Sequence, residues 1–265
     1  MKESELVMTH LLGCDKLSLY LNKDGGIAPG MGARLSSVLK RRISGEPVQY
    51  ILGESGFMGM NFKVDGRVLI PRPETEILVE AGIRELKEYG KARPRILDLG
   101  TGSGCIAVSV ARLFPSCDVY ASDISSGALS LAEENAAMNG VKVKFLQGDL
   151  FAALGGKEEK FDMIISNPPY ISSPEIDFLQ REISFEPRIA LEGGPDGMDF
   201  YRRIIGGAGS FLNDKGIIAL EAGFGQAHAV KDILLENKFT DLSLIRDYNN
   251  IERVVMARKG FIDHG

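Results

Sequence analysis

The chain has 265 residues, and its 31 lysine and arginine residues against 36 aspartate and glutamate residues give a formal net charge of −5. With 44% hydrophobic and 25% charged residues, its composition excludes a disordered chain, a collagen and a disulfide scaffold. No apolar run approaches the roughly 20 residues of a membrane span, and the charged start is unlike a signal peptide, so we expect a cytoplasmic protein without a membrane partner.

Short helices are predicted over residues 1–45, because apolar residues such as Leu35 and Val38 recur at helical spacing. Gly25-Gly26 is expected to interrupt these helices. The basic cluster Lys40–Arg42 then closes the region. Two interpretations of this cluster stay open: favourable charge in the last turn of a helix, or contact with an acidic partner.

A β-hairpin is predicted between Phe57 and Ile70, around Asp65-Gly66, because this dipeptide strongly favours a two-residue turn. Pro71 and Pro73 then stiffen the chain ahead of an amphipathic helix. The sequence therefore predicts a helical domain over residues 1–52, a hairpin linker over residues 53–75 and a main domain over residues 76–265.

Beyond Pro94, apolar runs alternate with helical segments, which is typical of βαβ units and a mostly parallel sheet. The clearest helix has Ser125 as its N-cap and Gly140 as its stop. The link Asp247–Asn250 is too short for a parallel crossover, so one strand at this end must run antiparallel. The predicted strands are Arg95–Leu99, Asp118–Ser122, Val143–Gln147, Phe161–Ser166, Gly216–Glu221, Leu242–Arg246 and Arg253–Ala257.

Cysteine and histidine usage argues against metal chemistry. Cys14, Cys105 and Cys117 have no CxxC spacing, and the histidines, including His264, are scattered without carboxylates at ligand spacing. We therefore predict no metal. The net acidity also lowers the chance of binding to duplex phosphates, so no direct contact with nucleic acid is expected.

A glycine-rich turn follows the first predicted strand of the sheet, in the segment Asp98–Gly104. Ligands of open α/β sheets bind beyond the carboxyl ends of the strands, and glycines there allow close approach to the backbone. The spacing is GxGxG and not the GxGxxG of dinucleotide sites, so a pyrophosphate is not the expected ligand.

Acidic residues end three successive strands. Asp123 stands where a carboxylate can accept both hydroxyls of a ribose, and Asp149 could accept a hydrogen bond from an exocyclic amine such as that of adenine. With Asp98, these acids are expected to gather at one edge of the sheet. Their negative charge repels phosphates and suits a cationic adenosine derivative.

The segment Asn167-Pro168-Pro169-Tyr170 follows the fourth strand. Neither proline carries an N–H, and Asn167 and Pro168 both precede a proline, which favours extended backbone with fixed carbonyl acceptors. The Asn167 side-chain oxygen and the Pro168 carbonyl can accept both hydrogens of a planar NH₂ group, while Tyr170 offers a face for packing. The motif thus predicts selection of an amide or aromatic-amine nucleophile.

These motifs together resemble those of class I S-adenosylmethionine-dependent methyltransferases. Flanking segments are similar to those of the bacterial peptide chain release factor glutamine methyltransferase family, called PrmC or HemK. These segments are Arg41–Pro47, Leu69–Glu76, Phe185–Pro187, Gly193–Gly197 and Asp247-Tyr248 with Glu252-Arg253.

The resemblance implies a seven-stranded, mostly parallel, Rossmann-like sheet, with substrate recognition by the helical domain and an entrance shaped by Ile171–Gly197 and the hairpin. It implies methyl transfer from S-adenosylmethionine, leaving S-adenosylhomocysteine, to the glutamine side-chain nitrogen (N5) in the Gly-Gly-Gln motif of class I release factors. The implied cofactor-binding residues are Gly100, Thr101, Gly102, Ser103, Gly104, Asp123, Asp149, Leu150 and Asn167. The implied substrate-binding residues are Asn167, Pro168, Pro169 and Tyr170, and the implied catalytic residues are Asn167, Pro168 and Tyr170.

Other functions stay open as alternatives. Methyltransferases that act on adenine in nucleic acid also use NPPY on this fold, but they need a basic groove for a flipped base, which the charge of −5 does not favour. A glutamine of a ribosomal protein is a further candidate substrate, although the flanking segments favour the release factor. A non-catalytic adenosine-binding protein would have no use for the acceptor turn.

Overall fold

The structure is a computed structural model that describes residues 2–21, 30–156 and 159–260. The first part of the chain forms helices, as predicted, while Gly25-Gly26 and His264 lie outside the described residues. The helices are α1 (Glu3–Leu12), α2 (Lys16–Leu21), α3 (Met31–Ile43) and α4 (Val48–Leu52). Lys40–Arg42 occupy the last turn of α3, where Arg42 pairs with Glu3 and Glu182.

The hairpin is present, but its predicted turn was wrong. Strands β1 (Glu54–Phe57) and β2 (Met60–Lys63) pair around Met58-Gly59, where both residues have positive φ, of 50° and 71°. Asp65 instead accepts hydrogen bonds from the Arg67 backbone and guanidinium, which makes a separate turn of the Asx type. The alternating apolar residues that follow pack against the main domain without pairing as a strand.

A seven-stranded sheet forms the main part of the molecule, as predicted. Its strands are β3 (Arg95–Leu99), β4 (Asp118–Asp123), β5 (Lys144–Gln147), β6 (Phe161–Ser166), β7 (Leu212–Glu221), β8 (Phe239–Arg246) and β9 (Glu252–Lys259). They lie in the order β5-β4-β3-β6-β7-β9-β8. Strand β9 is antiparallel to both of its neighbours, β7 and β8, whereas the other neighbouring pairs in this sheet are parallel, which confirms the expectation drawn from the short link before β9.

Helices cover both faces of this sheet. The longer ones are α5 (Pro73–Tyr89), α6 (Cys105–Leu113), α7 (Ser126–Met138), α9 (Asp199–Phe211) and α10 (Ala227–Glu236), and α8 (Ser173–Ile176) is short. Successive strand residues point to opposite faces. Ile96 therefore packs in the cluster under α5 and α6, and Leu97 in the cluster under α9 and α10. Within the described residues, no helix is both long and apolar enough to span a bilayer.

The order of the strands creates a crevice between β3 and β6. The chain leaves β3 toward one side of the sheet and β6 toward the other, which is the topological switch point where open α/β sheets bind ligands. The division into domains at residues 1–52, 53–75 and 76–265 stays a prediction. Helix α5, which begins at Pro73, crosses the last of these boundaries.

Candidate active site

A cleft of about 930 Å³, including its open mouth, lies at the carboxyl ends of β3, β4, β5 and β6. The glycine turn and the acceptor turn face each other across it, because Gly100, Gly102, Asn167 and Pro168 all line this one cleft. It is also lined by Leu69, Asp123, Ile124, Asp149, Leu150, Pro169, Pro187, Ile189, Ala190 and Arg203.

The glycine turn is braced from below. Asp98 is fully buried and accepts the Thr101 hydroxyl hydrogen at 2.6 Å, and burial raises the pKa of Asp98 to about 7. Asp98 lies at the expected edge of the sheet, but it supports the turn from the buried side and is not among the acids that line the cleft. Thr101, Ser103 and Gly104 do not line the cleft either, because these residues of the turn are buried on the side away from the cleft.

Asp123 at the end of β4 lines the cleft with a fixed carboxylate. Its Oδ2 accepts the Gly102 backbone N–H at 2.9 Å, and its Oδ1 accepts the Ser125 backbone N–H at 2.9 Å. Each oxygen keeps a further lone pair. Asp123 thus connects the end of β4 to the glycine turn that follows β3, and it can still accept hydrogen bonds from a ligand.

Asp149 and Leu150 form the next part of the wall, at the end of β5. The half-exposed Asp149 carboxylate pairs with Arg203 of α9 at 2.6 Å, a contact that the sequence does not predict. Leu150 has a left-handed backbone, with φ 49°, and lines the cleft together with Ile124. The two side chains give the cleft an apolar section that suits a planar base.

The acceptor turn is fixed through the Asn167 side chain. Asn167 Nδ2 donates to Thr75 Oγ1 at 3.1 Å, and Thr75 Oγ1 donates to Glu221 Oε2 at 2.6 Å. Thr75 and Glu221 are both buried, and neither was predicted as a site residue. A carboxylate directly after the apolar run Ile217–Leu220 of strand β7 is the signal in the sequence that could have indicated Glu221.

The rest of the acceptor turn is held by the loop before α9 and by Gln226 at the start of α10. A Cβ atom on Gly193 would lie 2.7 Å from the Pro169 carbonyl oxygen and 2.8 Å from Tyr170 Cα, so only glycine permits this approach. Gln226 Nε2 donates to the Tyr170 carbonyl at 2.9 Å. Burial raises the pKa of Tyr170 to about 12, so its hydroxyl keeps its proton at neutral pH.

A second pocket, of about 490 Å³ including its mouth, adjoins the cleft. Leu69, Asn167, Pro168 and Ala190 line both spaces and form the wall between them. The second pocket is otherwise lined by Arg72, Tyr170, Ile171, Ile183 and Leu191. Pro168 and Asn167 thus have a cavity on either side.

Metal-binding groups are not part of this arrangement. In residues 2–21, 30–156 and 159–260, no three His, Cys, Asp or Glu side chains are grouped so that they could hold an ion. The absence of a metal from the working protein stays a prediction.

Two family models match this chain, one over the N-terminal helices and one over part of the seven-stranded sheet. The model described as "Methyltransferase small domain" matches residues 75–185, and "PrmC N-terminal domain" matches residues 1–53. The first covers the glycine turn, the acidic strand ends and the acceptor turn. The fold and this match define the protein as a class I methyltransferase that uses S-adenosylmethionine.

Curated relatives define the family more narrowly. A release factor glutamine methyltransferase of Geobacter sulfurreducens is 41% identical over 97% of this chain and 89% of its own length. Another of the same name, from Thermodesulfovibrio yellowstonii, is 42% identical over 97% of this chain and 92% of its own length. The chain belongs to the release factor glutamine methyltransferase family.

Solved structures of lower identity share the fold. A methyltransferase from Pyrococcus furiosus has a TM-score of 0.58 and 19% identity, covering 87% of this chain and 98% of that chain. A T. thermophilus 16S rRNA N2 G1207 methyltransferase, solved with AdoMet and guanosine, has a TM-score of 0.57 and 20% identity, covering 78% of this chain and 50% of that chain. At these identities the likeness concerns the fold alone.

Proposed function

We propose that this protein methylates the side-chain amide nitrogen of the glutamine in the Gly-Gly-Gln motif of class I peptide chain release factors. One observation carries the proposal: Asn167 and Pro168 form the wall shared by the cleft and the second pocket. An amide held at this wall from the second pocket has its nitrogen directed into the cleft.

The cleft fits S-adenosylmethionine. Asp123 has free lone pairs for the ribose hydroxyls, Leu150 and Ile124 suit the adenine ring, and Gly100 and Gly102 expose backbone toward the methionine part. Asp149, paired with Arg203, lies at the adenine end. When bound, this cofactor supplies the methyl group attached to its sulfonium sulfur. Transfer of that methyl group leaves a neutral thioether.

The second pocket fits the substrate. Its apolar residues Leu69, Ile171 and Leu191 suit the aliphatic part of a glutamine and the flanking glycines, and Tyr170 provides a packing surface. Arg72 at this pocket is paired with the buried Glu186 at 2.5 Å, so its charge does not select an acidic substrate. A neutral carboxamide therefore suits the pocket better than a carboxylate.

Asn167 and Pro168 supply the chemistry. An amide nitrogen is a weak nucleophile, because its lone pair is delocalised into the carbonyl group. Two acceptors that bind both amide hydrogens can turn the lone pair toward the methyl group and stabilise the positive charge that grows on nitrogen. No strong base is needed, since the methylated, N-protonated amide loses its proton readily to solvent.

Labelled cofactor provides the test of substrate identity. Purified protein and methyl-labelled S-adenosylmethionine are incubated separately with a release factor, with its Gly-Gly-Ala variant, with ribosomal proteins and with duplex DNA. We expect label on the unmodified release factor alone. Label on DNA would favour an adenine methyltransferase, and equal labelling of the Gly-Gly-Ala variant would contradict methylation at the motif.

We expect Asp123→Ala to weaken S-adenosylhomocysteine binding by about 10- to 100-fold, because hydrogen bonds to a charged group contribute about 1.5–3 kcal/mol. Isothermal titration calorimetry measures the Kd. Asp118→Ala is the control, since Asp118 begins the same strand and pairs with Arg93 away from the cleft. Unchanged affinity in Asp123→Ala would remove Asp123 from the ribose site.

A further inference from the structure

A hydrogen-bond chain runs behind the acceptor turn and joins three elements. Asn167 follows β6, Thr75 lies in the first turn of α5, and Glu221 ends β7. The two steps measure 3.1 Å from Asn167 Nδ2 to Thr75 Oγ1 and 2.6 Å from Thr75 Oγ1 to Glu221 Oε2. Thr75 and Glu221 are each only 2% exposed, so water does not compete for the hydrogen bond between them.

The chain of bonds fixes which end of the Asn167 amide faces the site. A hydroxyl group has one hydrogen, and Thr75 donates its hydrogen to the Glu221 carboxylate. Thr75 can therefore only accept from Asn167, which places Nδ2 inward and leaves Oδ1 toward the pockets. A reversed amide would present N–H donors to the N–H donors of a substrate carboxamide.

We propose that Thr75 and Glu221 are positioning residues that act through Asn167 and keep its side-chain oxygen directed at the substrate nitrogen. This inference rests on the proposed function, since it concerns the same acceptor turn. Neither residue touches the reacting atoms. Their part is to keep the acceptor in the orientation that the reaction requires.

The charge on Glu221 decides the direction of the hydrogen bonds. Burial raises the pKa of Glu221 to about 7, against the lowering effects of the Thr75 hydroxyl and the Arg253 charge. The other charged or titratable groups that face it are Glu74, Arg72, Tyr170 and Cys105, and the Tyr201 hydroxyl donates to its backbone oxygen. A protonated Glu221 can donate to Thr75, which frees the hydroxyl hydrogen to turn toward Asn167 and reverse the amide.

Activity should therefore depend on pH through Glu221. The competent form is the carboxylate, so kcat is expected to rise as pH increases through about 7 and then to level off. Glu221→Gln has no proton to lose at this position, and we expect this acidic limb to disappear from its profile. A limb of unchanged midpoint in Glu221→Gln would show that another group titrates.

The role of the Thr75 hydroxyl is tested by Thr75→Val, with Thr75→Ser as the matched control. Valine keeps the shape and removes the hydrogen bonds, so we expect kcat to fall by about 10- to 100-fold. Serine restores the hydroxyl and should stay within about threefold of the parent protein. S-adenosylhomocysteine affinity, measured by calorimetry, should be unchanged in both variants and establishes that the valine variant is folded.

The two proposals fail in different ways. The variants are assayed on whichever acceptor takes the label, and binding of a Gly-Gly-Gln peptide to the S-adenosylhomocysteine complex is measured alongside. If DNA takes the label and Thr75→Val is still impaired, the proposed substrate would be wrong, but the positioning role of Thr75 would stand. Parent-like kcat and peptide affinity in Thr75→Val would overturn the positioning role, whatever the substrate.

Discussion

Asn167→Ala is expected to lower kcat for methyl transfer by about 100- to 1000-fold, the loss typical when one preorganised partner of a developing charge is removed. The variant loses the side-chain acceptor at the wall between the two cavities, and the Pro168 carbonyl alone cannot hold both amide hydrogens. S-adenosylhomocysteine affinity should change by less than about threefold, because Asn167 serves the acceptor side.

Single-turnover kinetics and calorimetry separate these two effects. Asn237→Ala is the control, because Asn237 caps α10 on the surface and contacts neither cavity. It should leave kcat and Kd unchanged. A large loss of cofactor affinity in Asn167→Ala, with kcat at saturating cofactor preserved, would mean that Asn167 is a cofactor ligand and not the amide acceptor.

Gly193→Ala is expected to reduce activity by about 100-fold or more, without any change to a side chain of the cleft. The new Cβ would overlap the Pro169 carbonyl and the Tyr170 backbone, so the acceptor turn must shift. Displacement by about 1 Å is enough to cost about 100-fold in rate. We also expect the free energy of unfolding to fall by about 1–3 kcal/mol, as for other overpacked sites.

Gly209→Ala is the matched control for this substitution. Gly209 lies in α9, where a Cβ would meet nothing within 4 Å. Alanine there should stabilise the helix slightly and leave kcat unchanged. Urea denaturation gives the two stabilities. Parent-like activity in Gly193→Ala would show that the acceptor turn tolerates displacement, contrary to the rigid corner on which the mechanism depends.

The fold was predictable wherever local pattern determines structure. The alternation of apolar runs and helices located all seven strands of the sheet, and the short link Asp247–Asn250 identified the antiparallel strand. The hairpin turn was misplaced because Asp65-Gly66 has the favoured composition, whereas the actual turn requires Met58 at a positive φ of 50°. Strand pairing there, and not turn propensity, decides the position.

The site was predictable in part. The motifs correctly predicted that Gly100, Gly102 and Asn167 lie at one cleft, because the carboxyl ends of parallel strands meet at one edge of the sheet. The sequence could not show that Asp98 is buried beneath the turn, nor that Glu221 lies behind Asn167. Such contacts join residues far apart in the chain, and only the packing of helices on the sheet brings them together.

The most direct test of the mechanism is a crystal structure of the protein with S-adenosylhomocysteine and a Gly-Gly-Gln peptide. The glutamine side-chain nitrogen should lie about 2.7–3.2 Å from both Asn167 Oδ1 and the Pro168 carbonyl oxygen, and should face the cofactor sulfur. A glutamine bound with its side-chain oxygen toward Asn167, or outside the pocket next to Pro168, would contradict the account.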